Sequence, residues 1–414
     1  MKELLLSRTA KDSSKVFVGN VVSSTFAIVF TILAARALGP EGWGVVAAVG
    51  SFIAIVFSLG ELGVGATMLS YVSQLWASKK SEALHVTNTV FSLRLLSASL
   101  LSVLVVLLSP IISNIIFRSD DLLLPIFAAI GVFGTLLLEF QVASTQAKQH
   151  FGRAAVYLAL VNTFRLAMIF ALIVFSDITL QSVLVVFTTS TVLSFFTTLL
   201  WDRPRPALQK NWQIAARKMA PFSGWMSVNR VVSTLNSRVD VLLLVQLSGV
   251  LAAGVYAAAN RLAFGVPIVI GSFAAVLAPR YASIERTKLS AYFIKTVWMS
   301  LLLVIAIVVG IIISPFVTRV FGEGFEQSST ILRLLLVSFI PFALSTPAVN
   351  MLIYAFKQPR IIAALSLVQM PTIFALNSYL IPKLGAPAPA YVMILVHTST
   401  LIVSYLYLFR IWRR

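Results

Sequence analysis

Long apolar runs alternate with short polar stretches along the whole chain. Runs such as LLSVLVVLL (Leu100–Leu108) and SLLLVIAIVVGIIIS (Ser300–Ser314) are apolar on every face of a helix, whereas a membrane β-strand would alternate apolar and polar residues. A helix needs about 20 such residues to cross the bilayer core. The pattern therefore predicts an all-α polytopic membrane protein with about twelve spans. They lie at 17–37, 43–66, 87–109, 122–145, 154–176, 179–201, 221–246, 253–279, 293–315, 328–354, 360–381 and 388–410.

Composition supports the membrane as the solvent of this chain. Of the 414 residues, 59% are hydrophobic and only 11% are charged, while a soluble domain is about half apolar and about a quarter charged. A water-soluble fold of this length would have to leave much of that apolar surface exposed. The absence of cysteine excludes disulfides and thiolate metal sites.

The net charge of +18 is distributed unevenly between the predicted loops. With the N-terminus inside, the cytoplasmic segments hold about 22 basic residues and the outer loops hold only four, a strong bias under the positive-inside rule. The outer four are Arg36, Arg118, Arg319 and Lys383. This asymmetry predicts a multi-pass protein with both termini cytoplasmic. It also explains the basic composition without a nucleic-acid partner.

A basic segment, WDRPRPALQKNWQIAARKMAP (Trp201–Pro221), lies near the midpoint and predicts a linker between two halves. The predicted organisation is a six-helix lobe at 1–201, a cytoplasmic linker at 202–220 and a second six-helix lobe at 221–414. A shift of about 210 residues aligns the starts of the halves without gaps, as in an internal repeat. The aligned pairs are VVSS with VVST, Gly39 with Gly249, and GVVAA at 44–48 with GVYAA at 254–258. Six spans per half make the repeat parallel, which predicts two lobes around a central cavity.

The stretch LAARALGPEGWG (Leu33–Gly44) interrupts the first apolar run. Gly39-Pro40 is expected to end the first helix, because proline lacks an N–H and biases the preceding residue away from α. Gly42 and Gly44 are expected to allow a tight return. Trp43 is expected at the outer lipid–water interface, which makes the segment the first outer hairpin turn.

The same stretch carries a family resemblance. The pattern R-x-L-G-P-x-x-x-G, formed by Arg36, Leu38, Gly39, Pro40 and Gly44, resembles the opening of the polysaccharide repeat-unit (O-antigen, Wzx-type) flippases. These belong to the multidrug/oligosaccharidyl-lipid/polysaccharide exporter superfamily.

Two later segments extend the resemblance over essentially the whole chain. The second span ends in LGELGVGATMLSYVSQ (Leu59–Gln74), which is similar to a Leu/Gly-rich segment of the family. Arg238-Val239-Asp240 followed by GVYAAA (Gly254–Ala259) resembles its Asp…Gly-x-Tyr-x-x-Ala pattern.

The resemblance implies a transporter rather than an enzyme. It would move a polyprenyl-pyrophosphate-linked oligosaccharide across the cytoplasmic (inner) membrane by alternating access, with ion coupling expected. Membrane lipid, a glycan polymerase and glycosyltransferases are considered as partners, and a monomer is expected.

Ionisable residues inside spans are costly in lipid and usually face protein or a watery cavity. Guanidinium groups match phosphate geometry, so arginines at depth predict binding of a pyrophosphate or an acidic sugar. The candidates are Arg94 in span three, Arg165 in span five, Arg230 and Arg238 in span seven, and Arg333 in span ten.

Span seven also carries a polar stripe, with Asn229, Ser233, Asn236 and Asp240 at helical spacing. The stripe predicts either a cavity wall in which Asn229 and Asn236 contact the cargo or a set of interhelical hydrogen bonds. Snorkelling to the surface is the alternative for Arg94 and Arg333.

Three carboxylates inside spans, Glu61, Glu139 and Asp240, are candidates for ion coupling. A desolvated acid can take up and release a proton during a transport cycle, whereas a neighbouring arginine would favour a structural ion pair. Close helix packing among glycines is the alternative for Glu61.

No P-loop, G-x-G-x-x-G, D-x-D or metal-ligand spacing occurs in the sequence, so no ATP, other cofactor or metal is expected. Two alternatives to the flippase remain open. One is a cation-coupled multidrug or metabolite antiporter of the same superfamily, and the other is a membrane-embedded enzyme of glycan assembly.

Overall fold

A computed structural model describes residues 8–61, 63–207 and 212–412. Within these ranges, side chains are described from Val18 onward, except those of 212–222, Trp225 and Asn229. The described residues are helical with no strand, as the apolar runs predict. The first half contains α1 (Arg8–Glu61), α2 (Val64–Thr67), α3 (Ser73–Ser78), α4 (Lys80–Leu107), α5 (Ser109–Ile112), α6 (Leu123–Ala147), α7 (Phe151–Phe175) and α8 (Leu180–Thr198). The remainder contains α9 (Trp212–Ser248), α10 (Val250–Ala263), α11 (Gly265–Ser283), α12 (Leu289–Thr318), α13 (Glu326–Asn350), α14 (Pro359–Leu384) and α15 (Ala388–Trp412).

Eleven helices in the described part of the chain are long and apolar enough to cross a membrane. The first of them, Val18–Glu61, consists of two helices joined at a kink at Gly39, which brings the crossings to twelve. Large apolar side chains such as Leu107, Phe175 and Leu302 are exposed on the helix surfaces. Such a surface is expected of a multi-pass membrane protein, because exposed apolar side chains there contact lipid tails and not water.

The first outer turn forms at Gly39, but its details differ from the sequence-based expectation. Gly39 has φ +68°, the left-handed region that favours glycine, and Pro40 follows it directly. Gly42 and Gly44 are helical instead of forming the turn. The interfacial position expected for Trp43 is wrong, since its side chain is only 7% exposed and packs inside the protein.

The glycine at the equivalent position of the repeat makes the same break. Gly249 has φ +89° and ψ +169°, close to the +68° and +179° of Gly39, and each glycine separates two long helices. Gly44 and Gly254, which the repeat also aligns, lie against each other. A Cβ atom on Gly44 would overlap the carbonyl oxygen of Val250, and one on Gly254 would overlap that of Pro40. The aligned residues therefore contact each other reciprocally, backbone against backbone.

The chain forms two compact units: Met1–Leu38 with Val45–Leu242, and Gly39–Gly44 with Leu243–Arg414. The boundary at Leu242 differs from the linker predicted at 202–220. The physical reason is the packing of α9, whose Ser223 hydrogen-bonds to Thr67 within the first unit. The division into lobes at 1–201, 202–220 and 221–414 stays a prediction.

In the first unit, α6 is the central helix and packs against α4, α7 and α8. It is mostly buried, with Leu136, Leu137 and Phe140 almost fully enclosed. Near its end, Gln141 donates hydrogen bonds to the Thr198 hydroxyl and the Asp202 carbonyl. These contacts fix α6 between its neighbours, so polar residues on its inner face hold defined positions.

In the second unit, α13 has the same central place, packed against α10, α12 and α15. This unit contains an apolar cluster of buried residues that includes Tyr281, Phe293 and Met351. The Tyr281 hydroxyl lies 2.6 Å from that of Thr296 inside this cluster. The fourth span of each half is thus the one around which the others pack.

Candidate functional site

A cavity of about 300 Å³ lies inside the first unit and contains four ionisable side chains. Residues from α1, α2, α4, α6 and α9 line it, together with the π-helical turn that follows α2. The lining residues are Glu61, Val64, Gly65, Ala66, Leu69, Arg94, Glu139, Phe140, Val142, Ala143, Gln146, Met226 and Arg230. Of the predicted site residues, the fold brings Glu61, Arg94, Glu139 and Arg230 together here.

The wall of the cavity begins where the second span breaks. The sequence predicts a continuous helix over 43–66, but α1 ends at Glu61 and α2 begins at Val64. The Glu61 carboxylate accepts hydrogen bonds from the backbone N–H groups of Gly63, at 2.9 Å, and Gly65, at 2.7 Å. A carboxylate at a helix start satisfies N–H groups that have no partner within the helix. Glu61 is therefore bound by the turn that it stabilises.

Arg94 of α4 holds the other side of the same break. Its side chain is only 3% exposed. Its two terminal nitrogens donate to the carbonyl oxygens of Gly60, at 2.6 Å, and Glu61, at 2.9 Å. These are end-of-helix carbonyls, which carry partial negative charge and attract cations. The Nε atom is buried and has no hydrogen-bond partner among the described residues, so one donor of this arginine remains unused.

Glu139 of α6 is half-buried and faces the cavity. In the described part of the chain its carboxylate accepts no hydrogen bond. The charges that act on it are those of Arg230, Glu61 and Arg94. Glu139 is therefore a carboxylate surrounded by charges and not engaged by the backbone.

Arg230 of α9 completes the charged group. Its guanidinium lies over the ring of Phe57, 5.4 Å from the ring centre, and it is otherwise exposed. An aromatic face attracts a cation without occupying its hydrogen-bond donors. Among the described residues none accepts from Arg230, so its donors can bind a ligand that enters the cavity.

Sequence reasoning did not identify Gln146, which also lines the cavity. Gln146 follows Glu139 by two helical turns, and Val142 and Ala143 lie between them on the same face. A search for polar residues at helical spacing from Glu139 would have found it. The contribution of Met226 leaves no such signal, because an apolar residue in an apolar span carries no information about a cavity.

The polar stripe of α9 is only partly described, and its described residues do not line this cavity. Asn229 lies outside the residues whose side chains are described. Asn236 is half-buried, Arg238 is exposed and Asp240 is 4% exposed. On this helix it is Arg230, next to the stripe, that reaches the cavity. The roles predicted for the other four residues stay predictions.

The two remaining arginines lie away from this cavity. Arg165 donates from Nε to the Ser190 hydroxyl, at 3.1 Å, and from a terminal nitrogen to the Phe187 carbonyl, at 3.0 Å. Its guanidinium also lies 4.0 Å from the centre of the Phe187 ring. Arg333, in the second unit, is exposed and donates from Nε to the Ser314 hydroxyl at 3.3 Å. Both stay candidate cargo contacts by prediction.

The described lining of the cavity offers an entering anion two cationic side chains, Arg94 and Arg230. Among the described residues, no group of three or more His, Asp or Glu side chains is placed to hold a metal. Two guanidinium groups beside two carboxylates leave the cavity with no net charge. An entering anion would find the donors of Arg230 that no described residue occupies, with Arg94 adding positive charge and Glu139 as the competing negative charge.

The sequence matches the family described as polysaccharide biosynthesis protein over residues 32–330. This covers most of the chain and includes all four charged cavity residues. No curated protein matches the chain significantly.

Three solved structures illustrate the similarity of the fold. The lipid II flippase MurJ in an inward closed conformation has a TM-score of 0.75 at 14% identity, covering 96% of this chain and 87% of its own. An inward-facing multidrug resistance MATE family transporter has a TM-score of 0.68 at 16% identity, covering 93% of both chains. A transporter from Pyrococcus furiosus, described as having a binding pocket of reverse polarity, has a TM-score of 0.63 at 15% identity, covering 96% of this chain and 93% of its own. The fold is therefore that of the multidrug/oligosaccharidyl-lipid/polysaccharide exporter superfamily, as the Arg36–Gly44 motif predicted.

Proposed function

Since the chain belongs to the polysaccharide biosynthesis protein family, we propose that it is a flippase that moves a polyprenyl-pyrophosphate-linked oligosaccharide across the cytoplasmic membrane by alternating access. The observation that carries this proposal is the cavity in the first unit, which Arg94 and Arg230 line and in which no described residue occupies the donors of Arg230. A soluble or lipid-bound anion is the ligand such donors select.

The pyrophosphate is the part of the cargo that the cavity fits. A guanidinium group offers planar pairs of donors that match phosphate oxygens. A cavity of about 300 Å³ is large enough for a pyrophosphate and too small for a whole lipid-linked oligosaccharide. We infer that the cavity holds the charged group of the cargo while its sugar and its polyprenyl chain lie outside.

The predicted orientation places this cavity toward the cytoplasm, because Glu61 and Glu139 lie near the inner ends of their spans. This is the side on which the cargo is presented, if it is an O-antigen-type repeat unit made by cytoplasmic glycosyltransferases. Under this proposal both termini are cytoplasmic, glycosyltransferases and a polymerase act before and after the transporter, and one chain suffices for transport.

The other candidate residues are assigned to later stages of transport. Arg165, Arg238, Asn236, Asn229 and Arg333 are proposed as contacts for sugar or phosphate beyond the first binding step. Glu61 and Asp240 are proposed as secondary candidates for coupling, because Glu61 is bound to backbone N–H groups and Asp240 is almost fully buried.

A cation-coupled antiporter for small drugs or metabolites is the second candidate function. It is favoured by the similarity to the MATE family fold and by the carboxylates of the first unit. The arginines beside those carboxylates argue against a cationic cargo, because they repel an organic cation in a low-dielectric cavity.

Reconstitution into liposomes tests the proposal. Wild-type protein is expected to exchange a fluorescent polyprenyl-pyrophosphoryl oligosaccharide between leaflets. Arg230→Ala and Arg165→Ala are expected to slow this exchange by about tenfold or more, since each removes a charge-assisted contact. Insertion into the membrane should not change.

Three parallel measurements separate the alternatives. Efflux of an organic cation without leaflet exchange would replace the flippase with the antiporter. Formation of a new glycosidic bond would identify a glycan-assembly enzyme instead. Wild-type exchange rates in both arginine variants would remove the cationic site from the proposal.

A further inference from the structure

The four charged side chains of the cavity form two groups that differ in whether they are hydrogen-bonded to the backbone. Glu61 and Arg94 are bound to the backbone at the break between α1 and α2. Glu139 and Arg230 have no hydrogen bond to any described residue, although both line the same cavity. One carboxylate and one guanidinium can therefore change partner without breaking a hydrogen bond to any described residue.

Among the side chains that the structure describes around Glu139, no further charged group is placed to neutralise an added charge. Arg230 on α9, Arg94 on α4 and Glu61 at the end of α1 are the charged groups that act on it. The neighbouring α8 contains no ionisable residue, and Tyr71 is the one titratable side chain in α2 and the π-helical turn after it. Arg165 of α7 is held by Ser190 and Phe187. None of these described groups is available to offset a second anion, which leaves a proton from solvent as the counter-charge.

We propose that Glu139 balances the charge of Arg230 across the cavity, and that an entering pyrophosphate takes over this role and makes Glu139 take up a proton. This inference rests on the proposed function and adds the stoichiometry of its first step. In the empty cavity two carboxylates balance two guanidinium groups. A lipid-linked pyrophosphate has both phosphates esterified and adds two negative charges, which repel the Glu139 carboxylate in a low-dielectric site.

The proton balance of the step is simple. The ionised Glu139 carboxylate binds one proton from water as the pyrophosphate oxygens bind Arg230, and the reverse occurs when the cargo leaves. Binding should therefore strengthen as pH falls, because the complex holds one more proton than the separate partners. No covalent bond changes in either partner.

Calorimetry on the full-length protein in nanodiscs tests this inference. The probe is a short-chain prenyl pyrophosphoryl hexose, titrated at neutral pH in two buffers that differ in ionisation enthalpy. Wild-type protein is expected to take up about one proton per bound probe and to bind about tenfold more tightly for each unit by which pH is lowered, within the range where Glu139 titrates. Glu139→Gln should bind at least as tightly at neutral pH without any proton uptake.

Three further variants make the test specific. Glu139→Asp keeps the carboxylate and should retain proton uptake, which guards against a folding defect in the glutamine variant. Arg230→Gln should weaken binding by about thirtyfold or more, as the main anion contact is lost. Glu82→Gln, which removes an exposed carboxylate next to Lys79, should behave as wild type.

The outcomes separate this inference from the proposed function. Wild-type binding without proton uptake, or uptake that persists in Glu139→Gln, would overturn the role of Glu139 and leave the flippase intact. Failure of wild-type protein to bind the probe would overturn the anion site, and the proposed function would then have to stand on leaflet exchange alone.

Discussion

The two units share their helical framework and differ in where they place carboxylates. In each, the fourth span is the central helix, α6 in the first unit and α13 in the second. Glu139 and Phe342 occupy the same position in these two helices when each is counted from the first residue of its helix, Leu123 or Glu326. The first unit has a charged cavity at this helix, whereas Phe342 stacks on His397, with ring centres 4.9 Å apart.

The second unit also lacks carboxylates within its spans from Leu243 onward. From Leu243 onward the acidic residues are Glu285, Glu323 and Glu326, all in connections or in the first turn of a helix. The first unit places Glu61, Glu139 and Asp240 within spans. Asp240 belongs to the seventh span, the first of the second half, but it lies in the first unit. Since a charge at the centre of a membrane helix costs several kcal/mol, carboxylates within the spans of one unit only agree with the proposal that this unit binds the charged part of the cargo.

The largest expected effect concerns transport by arginine variants of the two units. Arg230→Ala is expected to reduce leaflet exchange of the cargo by about 100-fold, and Arg333→Ala by about threefold or less. The reason is that Arg230 faces the charged cavity, whereas Arg333 is exposed and bonded to Ser314. Initial exchange rates at equal protein density measure both. Equal losses in the two variants would show that the units share the cargo site.

The next effect concerns stability at the break in the second span. Arg94→Met is expected to lower the free energy of unfolding by about 2–4 kcal/mol, because it leaves the carbonyls of Gly60 and Glu61 without their donors. Thermal unfolding in detergent reports the change. Arg333→Met, which removes an exposed arginine of α13 in the second unit, is expected to alter stability by about 0.5 kcal/mol or less. A stable Arg94→Met protein would mean that water satisfies these carbonyls.

The smallest effect tests the contact between aligned residues of the repeat. Gly44→Ala and Gly254→Ala are each expected to destabilise the protein by about 1–3 kcal/mol, because the new methyl group meets a backbone carbonyl that cannot rotate away. The two losses should be similar, since the contacts are reciprocal. Gly271→Ala serves as the control, because a Cβ there meets open space and improves helix propensity. Different losses in the first two variants would contradict a symmetric contact.

Several parts of the site could be predicted from single residues. Charged side chains within apolar runs identified Glu61, Arg94, Glu139 and Arg230 as candidates, since such residues are rarely tolerated in lipid without a role. The same signal selected Arg165, Arg238 and Arg333, which lie elsewhere. Depth in a span shows that a charge needs a partner, but it does not show which partner the fold supplies.

The contacts themselves lay beyond sequence reasoning. The break after Glu61 was not predicted, because the run over 43–66 is apolar throughout and the cap comes from the side chain of Glu61 itself. The burial of Trp43 was also missed, as interface preference was the only guide. Both depend on which helix lies beside the residue.

The sequence by itself determined the helical membrane fold, the twelve crossings and the family, because the hydrophobic length of a span and the glycine–proline punctuation of a turn are local properties. Only the tertiary structure decided that Arg94 holds a helix end while Arg230 remains available beside Glu139. The physical reason is that a buried charge is defined by the atoms around it, and helices far apart in sequence supply those atoms.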